Sequence, residues 1–295
     1  WPPMSYNPDT GLVYIPTMVF PVRFLEPTEE KDMQPNQGLW NVGFDRIANV
    51  PPAIPQLDAI LEKEYTGSLL AWDPIAQKAR WQTKPSRPTG GGTLSTAGQL
   101  VFQGGKTSHV SAYDADNGEE LWTFDVQTSA MAAPITYSID GEQYIAMAVG
   151  FGGGFAAEGG PVAHAWKVPN ISRVLVFKLG AQEQLPPIVD HQRALAKPAP
   201  VAENADIVEQ GKAVFQRHGS YCHGDGFRTG GVTPDLRYSG EAIHNMWDQI
   251  VLDGILSGTG MVSFAEFVSK DESEAIRQYV LSEANRLYDE RQVAP

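Results

Sequence analysis

Ala71-Trp72-Asp73, followed by Trp81, and Ala112-Tyr113-Asp114, followed by Gly118 and Trp122, decide the fold. Alanine, aspartate and tryptophan recur at one offset of 41 residues: 112 against 71, 114 against 73, 122 against 81. Leu69-Leu70 lies over Val110-Ser111 at the same offset. A period of about 40–45 residues with four strands per unit is the spacing of a propeller blade. Each residue type has a use there. An aspartate in a tight turn bonds its own backbone, a glycine can take a positive φ, and a tryptophan packs a flat ring between neighbouring sheets. The first copy departs from the second in carrying Gln77 where Gly118 stands. Two similar hairpins in some other sandwich would give the same pattern.

Strand signals surround the repeats. Gly11-Leu12-Val13-Tyr14-Ile15 follows Asn7-Pro8-Asp9-Thr10, and Gln99-Leu100-Val101-Phe102 follows Ala97-Gly98. Gln143-Tyr144-Ile145-Ala146-Met147 follows Asp140-Gly141. All are β-branched and aromatic runs bounded by turn residues. The 29 glycines and 22 prolines agree with a turn-rich β portion. A length of 295 residues suggests about two domains.

The net charge of −13 gives no phosphate-binding face and argues against a nucleic-acid partner. It is spread along the chain: 14 Lys and Arg against 20 Asp and Glu before residue 201, and 8 against 15 from there on. No run is long and apolar enough for a membrane span. The opening Trp1-Pro2-Pro3-Met4 lies already inside a strand-like pattern, and the expectation is a piece of a longer protein. His109 and His164 lack metal-ligand spacing and are expected to be surface or satisfied histidines.

Residues 183–202 carry most of a proline-rich stretch with little periodicity and form a semi-rigid linker. Helical patterns follow it. Asn204 can cap a helix whose Ile207, Gly211, Val214 and Phe215 share one face and which ends near His218. A second helix is expected from Glu241 to Leu252, with Ile243, Met246, Trp247 and Ile250 on its apolar side. Ser269 and Glu272 form a capping box for a third, bearing Ile276, Tyr279, Val280 and Leu287.

Gly219-Ser220-Tyr221-Cys222-His223 contains the single cysteine of the chain. Covalent c-type haem is signalled by C-x-x-C-H. Here the second cysteine and the histidine are present, and Gly219 stands at the place of the first cysteine. Such a stretch is a haem site with one thioether, or a coincidence.

The β repeats resemble the tryptophan-docking repeats of the pyrroloquinoline quinone (PQQ) dehydrogenases, A-x-D-x-x-x-G-x-x-x-W. Trp1-Pro2-Pro3-Met4 through Gly11-Leu12-Val13-Tyr14-Ile15-Pro16, Gly91-Gly92-Thr93-Leu94-Ser95-Thr96-Ala97-Gly98, and Asp140-Gly141 through Gly150-Phe151-Gly152-Gly153-Gly154 are similar to further segments of that family. The order helix, Cys-His, loop, helix, Gly-Met loop, helix resembles small class I cytochromes c. It resembles more closely the cytochrome domain of type II quinohaemoprotein alcohol dehydrogenases, through Cys222-His223-Gly224-Asp225-Gly226, Pro234-Asp235-Leu236-Arg237 and Gly260-Met261.

The resemblance implies a multidomain chain. An all-β partial eight-bladed β-propeller would occupy residues 1–182, the linker 183–202, and a small all-α class I cytochrome c domain 203–295. An incomplete propeller exposes sheet edges, so residues 1–182 are expected to need the N-terminal remainder of the propeller as a partner. The implied cofactors are haem c, PQQ and Ca2+, with the calcium ligands and the catalytic aspartate outside this chain. Trp1, Gly90, Gly91 and Gly154 would line the quinone pocket, the glycines leaving room for a larger alcohol or serving only as turns.

His223 and Met261 would be the axial ligands of the haem iron. Cys222 would form the thioether, and Arg237 would meet a haem propionate. Met246 is an alternative axial ligand, placed instead in the core as an ordinary helix-face methionine. Gly211 and Phe215 would cross near Tyr279, and His218 and His244 would be solvated. The function implied is a periplasmic quinohaemoprotein alcohol dehydrogenase that passes electrons to a soluble acceptor such as a cytochrome or blue-copper protein. A non-catalytic electron-transfer subunit, or a propeller interaction module with a vestigial haem domain, are the alternatives.

Overall fold

A computed structural model describes residues 2–19, 60, 63–85, 89–105, 108–151, 170–188, 194–227, 229 and 231–293. Three antiparallel sheets come first. Strands β1 (Ser5–Asn7), β2 (Leu12–Val19), β3 (Thr66–Asp73) and β4 (Lys78–Gln82) lie in that order in one sheet. Strands β5 (Thr89–Ser95), β6 (Leu100–Gly105), β7 (His109–Asp114) and β8 (Glu120–Asp125) form the second, also in chain order. Among the described residues the third has β9 (Ile135–Ile139), β10 (Glu142–Val149) and β11 (Arg173–Lys178). Meanders of four strands, laid side by side, are the blades of a propeller.

The 41-residue repeat is the means by which one sheet locks to the next. Asp73 Oδ1 accepts from the amides of Ile75 and Ala76, and Asp114 Oδ1 from those of Asp116 and Asn117. Both hairpins shift register at the same place, at Ala71/Trp72 and at Ala112/Tyr113. Trp81 of the first sheet donates its Nε1 to the carbonyl of Ala115 in the second, at 3.0 Å. Tyr14 donates its hydroxyl to the same carbonyl at 2.9 Å, with its ring centroid 5.8 Å from that of Trp81. Gly118 has φ +77°, and a Cβ there would stand 2.5 Å from Cε3 of Trp81. The glycine is therefore required twice, for its backbone and for the ring above it. Gln77 takes φ +51° at the equivalent turn of the first copy.

The apolar residues between the first two sheets are Leu12, Tyr14, Leu69, Ala71, Val101 and Ala115. Val110, Val126, Ala130, Met147 and Val149 fill the space between the second and third. There Trp122 meets Phe177 edge-on at 5.2 Å. The far face of the third sheet is open: Ile135 is 61% exposed and Val174 72%.

The helical part begins at α1 (Ala205–His218), capped by Asn204, whose Oδ1 accepts from the Asp206 amide. A short α2 (Ser220–His223) follows directly, an element the sequence pattern does not show. In place of one helix from Glu241 to Leu252 there are two, α3 (Glu241–Asn245) and α4 (Trp247–Val251). The break is at Met246, whose amide bonds the carbonyls of both Ala242 and Ile243 at φ −104°, ψ +15°. That kink turns Met246 outward, 38% exposed, so the core placement expected for it is corrected.

The last helix is α5 (Lys270–Val293). Its capping box forms as expected: the Ser269 amide donates to Glu272 and the Glu272 amide to Ser269 Oγ. Helices α1 and α5 cross at Gly211, where a Cβ would lie 1.9 Å from the carbonyl oxygen of Ala275. Phe215 packs against Tyr279 at 5.6 Å beside that crossing. Among the described residues no helix is long and apolar enough to cross a membrane.

Candidate functional site

The helical part is built around one apolar core. Phe215, Phe227, Trp247, Val251, Val268, Ile276, Tyr279 and Val280 form it, and Met261 packs against it from the loop after the second helical pair. Gly260, at φ +100°, ends a single 3-10 turn (Ser257–Thr259) and delivers Met261 to that position. His223 ends α2 and is 8% exposed.

One hydrogen bond organises His223. Its Nδ1 lies 2.9 Å from the carbonyl oxygen of Pro234, which can only accept. Nδ1 therefore carries the proton, and Nε2 keeps its lone pair for a ligand. A carbonyl that fixes the tautomer is the usual support for a metal-bound imidazole. Burial pushes the His223 pKa down, against the opposing effects of the Pro234 bond and of Asp235. The neutral ring is the form that binds iron. The loop back from Pro234 is tied to the same helix, because Thr233 Oγ1 donates to the carbonyl of Cys222.

Cys222 is exposed and free. Three residues before it, a Cβ on Gly219 would stand 2.6 Å from Cδ2 and 2.7 Å from Cε2 of Phe215. The ring of Phe215, held against Phe227 at 4.7 Å, packs directly on Gly219 and would have to shift for any side chain there. Arg237 donates from Nε and Nη2 to both carboxylate oxygens of Asp235, at 2.6–3.2 Å. Its side chain is only 15% exposed. A propionate at this place would meet a guanidinium already half committed.

A neutral imidazole with a fixed tautomer, a loop methionine against the apolar core and an accessible thiol fit a c-type haem. For the quinone the described residues supply no comparable donor set. Trp1 and Gly154 lie outside them, as does His164. Gly90 belongs to β5. At Gly91 a Cβ would stand 2.5 Å from the carbonyl oxygens of both Ala130 and Gly104. The missing side chain leaves no room there: backbone fills it, and the expectation of extra space at Gly91 is corrected. At Gly92 the nearest atoms would be Ala133 Cβ at 2.6 Å and Pro3 Cδ at 2.8 Å. These glycines let the inner strand β5 approach its neighbours closely.

The two remaining histidines of the helical part are not solvated as expected. His218 lies parallel to Phe267, centroids 6.2 Å apart, with Phe264 edge-on at 6.3 Å. His244 stacks on Trp247 at 5.7 Å. The Nδ1 of each is buried without a hydrogen-bond partner. Burial lowers the pKa of both, helped by Arg217 at His218 and by Arg277 at His244. His109, by contrast, is exposed, as expected. Among the described residues no group of three or more His, Cys, Asp or Glu is placed to hold a metal ion.

A cavity of about 700 Å3 lies where the third sheet meets the helical part. Met131, Val149, Phe151 and Val174 line it from the sheet side and Val232 from the loop that follows Cys222-His223.

Residues 62–145 match the family model described as glucose/ethanol/alcohol dehydrogenase, beta-propeller domain. The chain is 40% identical over 284 residues to quinohemoprotein alcohol dehydrogenase ADH IIB of Pseudomonas putida, covering 96% of this chain and 39% of that protein. It is 37% identical over 292 residues to ADH-IIG of the same organism, covering 98% and 40%. The solved structure of the P. putida ADH-IIG enzyme superposes with a TM-score of 0.82 at 35% identity, over 98% of this chain and 42% of that one. The quinohemoprotein alcohol dehydrogenase of Comamonas testosteroni gives a TM-score of 0.69 at 29% identity, over 100% and 41%. The chain thus spans about two fifths of the length of these relatives.

Proposed function

Because the chain belongs to the PQQ-dependent quinohaemoprotein alcohol dehydrogenases and corresponds to the C-terminal part of its members, we propose that it is the closing part of such an enzyme's propeller together with its haem c domain. The whole enzyme is periplasmic, oxidises an alcohol and delivers the electrons to a soluble cytochrome or blue-copper protein. When bound, PQQ would accept the two electrons of alcohol oxidation and haem c would move them onward one at a time.

In this reading His223 and Met261 hold the iron, Cys222 holds the porphyrin by one thioether, and Arg237 with Asp235 borders a propionate. The Pro234 carbonyl keeps the His223 proton on Nδ1. Calcium, its ligands and the catalytic aspartate belong to the N-terminal part of the propeller. Trp1, Gly90, Gly91 and Gly154 border the quinone at most as one wall.

The single observation that carries the haem assignment is the bond from His223 Nδ1 to Pro234. It fixes the proton on Nδ1 of a buried ring and leaves the Nε2 lone pair for a ligand. The test is rapid mixing of the full-length protein, loaded with PQQ and Ca2+, with a primary alcohol. The expected result is reduction of the haem absorbance without any added mediator. A haem band that stays oxidised while an artificial dye is reduced by the same sample would overturn the electron route. A protein without a haem band would overturn the whole assignment.

A further inference from the structure

The helical part and the third sheet meet at Asn170. Its Oδ1 accepts from the amide of Phe151 at 2.8 Å, and its Nδ2 donates to the carbonyl of Phe151 at 2.9 Å. One side chain thus satisfies both backbone groups of a residue 19 positions away, as a neighbouring strand would. Phe151 is 2% exposed and continues β10 through Gly150, whose amide donates to Ser129. Asn170 is therefore anchored to the sheet.

Its Cβ faces the other domain. Gly231 lies at φ +82°, and a Cβ there would stand 2.9 Å from Cβ of Asn170. That distance makes Gly231 a contact no larger residue fits without shifting the two apart. Gly231 leads to Val232, which walls the cavity described above, and then to Thr233 and Pro234. The Gly231 amide donates to Thr229 Oγ1, and Thr229 Oγ1 donates to the Thr233 carbonyl. Pro234 takes the bond of His223. A short, hydrogen-bonded loop thus joins the sheet anchor at Asn170 to the proposed iron ligand.

The linker provides a second, weaker tie. Gln127 Nε2 donates to the carbonyl of Pro186, with the side chain exposed. Further on, the Ala202 amide donates to Gln278 and Asn285 donates to the Ala199 carbonyl, so the end of the linker belongs to α5. Proline-rich segments are stiff but do not fix an angle.

We propose that Asn170 is a positioning residue: through Gly231 it seats the helical domain on the last propeller sheet and holds the haem in register with the quinone. This rests on the function proposed above. Electron transfer between two groups held by a scaffold slows when the scaffold lets them move apart.

The experiment uses the full-length holoenzyme and the variants N170A and G231A. Three quantities are read: the rate of haem reduction by alcohol, the rate of alcohol oxidation with a dye that takes electrons before the haem, and amide hydrogen exchange at Val232 and Thr233. In both variants haem reduction should slow severalfold, and exchange in the loop should rise. Dye-linked oxidation and the oxidised haem spectrum should stay as in the parent. N170D, which keeps the acceptor for the Phe151 amide but loses the donor to its carbonyl, should fall between parent and N170A. Haem reduction at the parental rate in both N170A and G231A, with folded protein and an intact haem spectrum, would overturn the positioning role. An unmodified enzyme that shows no haem reduction by alcohol would instead overturn the proposed function, so the two failures are distinct.

Discussion

The Phe215 ring packs directly against Gly219. A side chain at 219 would displace a ring that also touches Phe227 and Tyr279. The two methionines separate just as sharply. Met261 packs on the core, whereas Met246 points to solvent from the kink between α3 and α4. Met261→Ala should abolish the sulfur-to-iron charge-transfer band of the oxidised protein and lower its reduction potential, since a thioether ligand raises it. Met246→Ala should leave both unchanged in the same spectroelectrochemical titration. The reverse outcome would move the ligand to Met246.

Gly118 makes a separate case at this scale. Gly118→Ala adds a methyl against the Trp81 ring and places alanine at φ +77°. The combined cost is about 2–4 kcal/mol, to be read from the urea midpoint at unchanged slope. Trp81 and Gly118 were legible in the chain because the repeat needs those side chains. Gly91 was misleading because the backbone that crowds it, at Ala130 and Gly104, is remote in sequence. Asn170 carried no signal at all: an asparagine in a loop is an ordinary turn residue until its partners are seen.

Among elements, the helices that follow a clear 3.6-residue period formed where the period placed them. Helices α1 and α5 have their caps at Asn204 and at Ser269 with Glu272. The break inside the middle helix was not readable, since Ile243, Trp247 and Ile250 keep their apolar spacing on both sides of Met246. The burial of His218 and His244 was not readable for a related reason. Each lies at a helix end, but Phe264, Phe267 and Trp247 close over them.

Those two histidines give the helical part an acid sensitivity. At His218 the facing groups are Arg217, Glu272 and the two phenylalanine rings; at His244 they are Trp247, Arg277, Glu274 and Ser239. Both pKa values lie below the ordinary 6.5. The unfolded chain then takes up protons that the folded chain refuses, so stability is full above that value and is lost as pH falls through the folded values. Glu272 and Glu274, held low by Ser269 and by Arg277, add a further loss in the carboxylate range. The thermal midpoint of the helical signal should fall steadily from about pH 7 to about pH 5. A midpoint that is flat or rises over that interval would contradict the burial of the two rings.

At the scale of the molecule, two complete four-stranded blades and a third sheet of three described strands make part of a ring. The third sheet buries one face on its neighbour and leaves Ile135, Ile139, Val174 and Val176 exposed on the other. Apolar faces of this kind in soluble proteins mark contact surfaces, and the relatives are about two and a half times as long as this chain. The rest of the propeller is the proposed cover. Blade architecture was legible from a repeat of two copies. The seating of the helical part on the last sheet was not, because it depends on Asn170 and Gly231 meeting across 61 residues.

The proposed function requires the single cysteine to carry a haem, and intact-mass measurement under denaturing conditions reads that link directly. The protein should weigh its polypeptide mass plus one haem, and Cys222→Ala should lose that increment while keeping a haem band in the native state. A denatured mass equal to the bare polypeptide would contradict it, whether or not the native material shows a haem band.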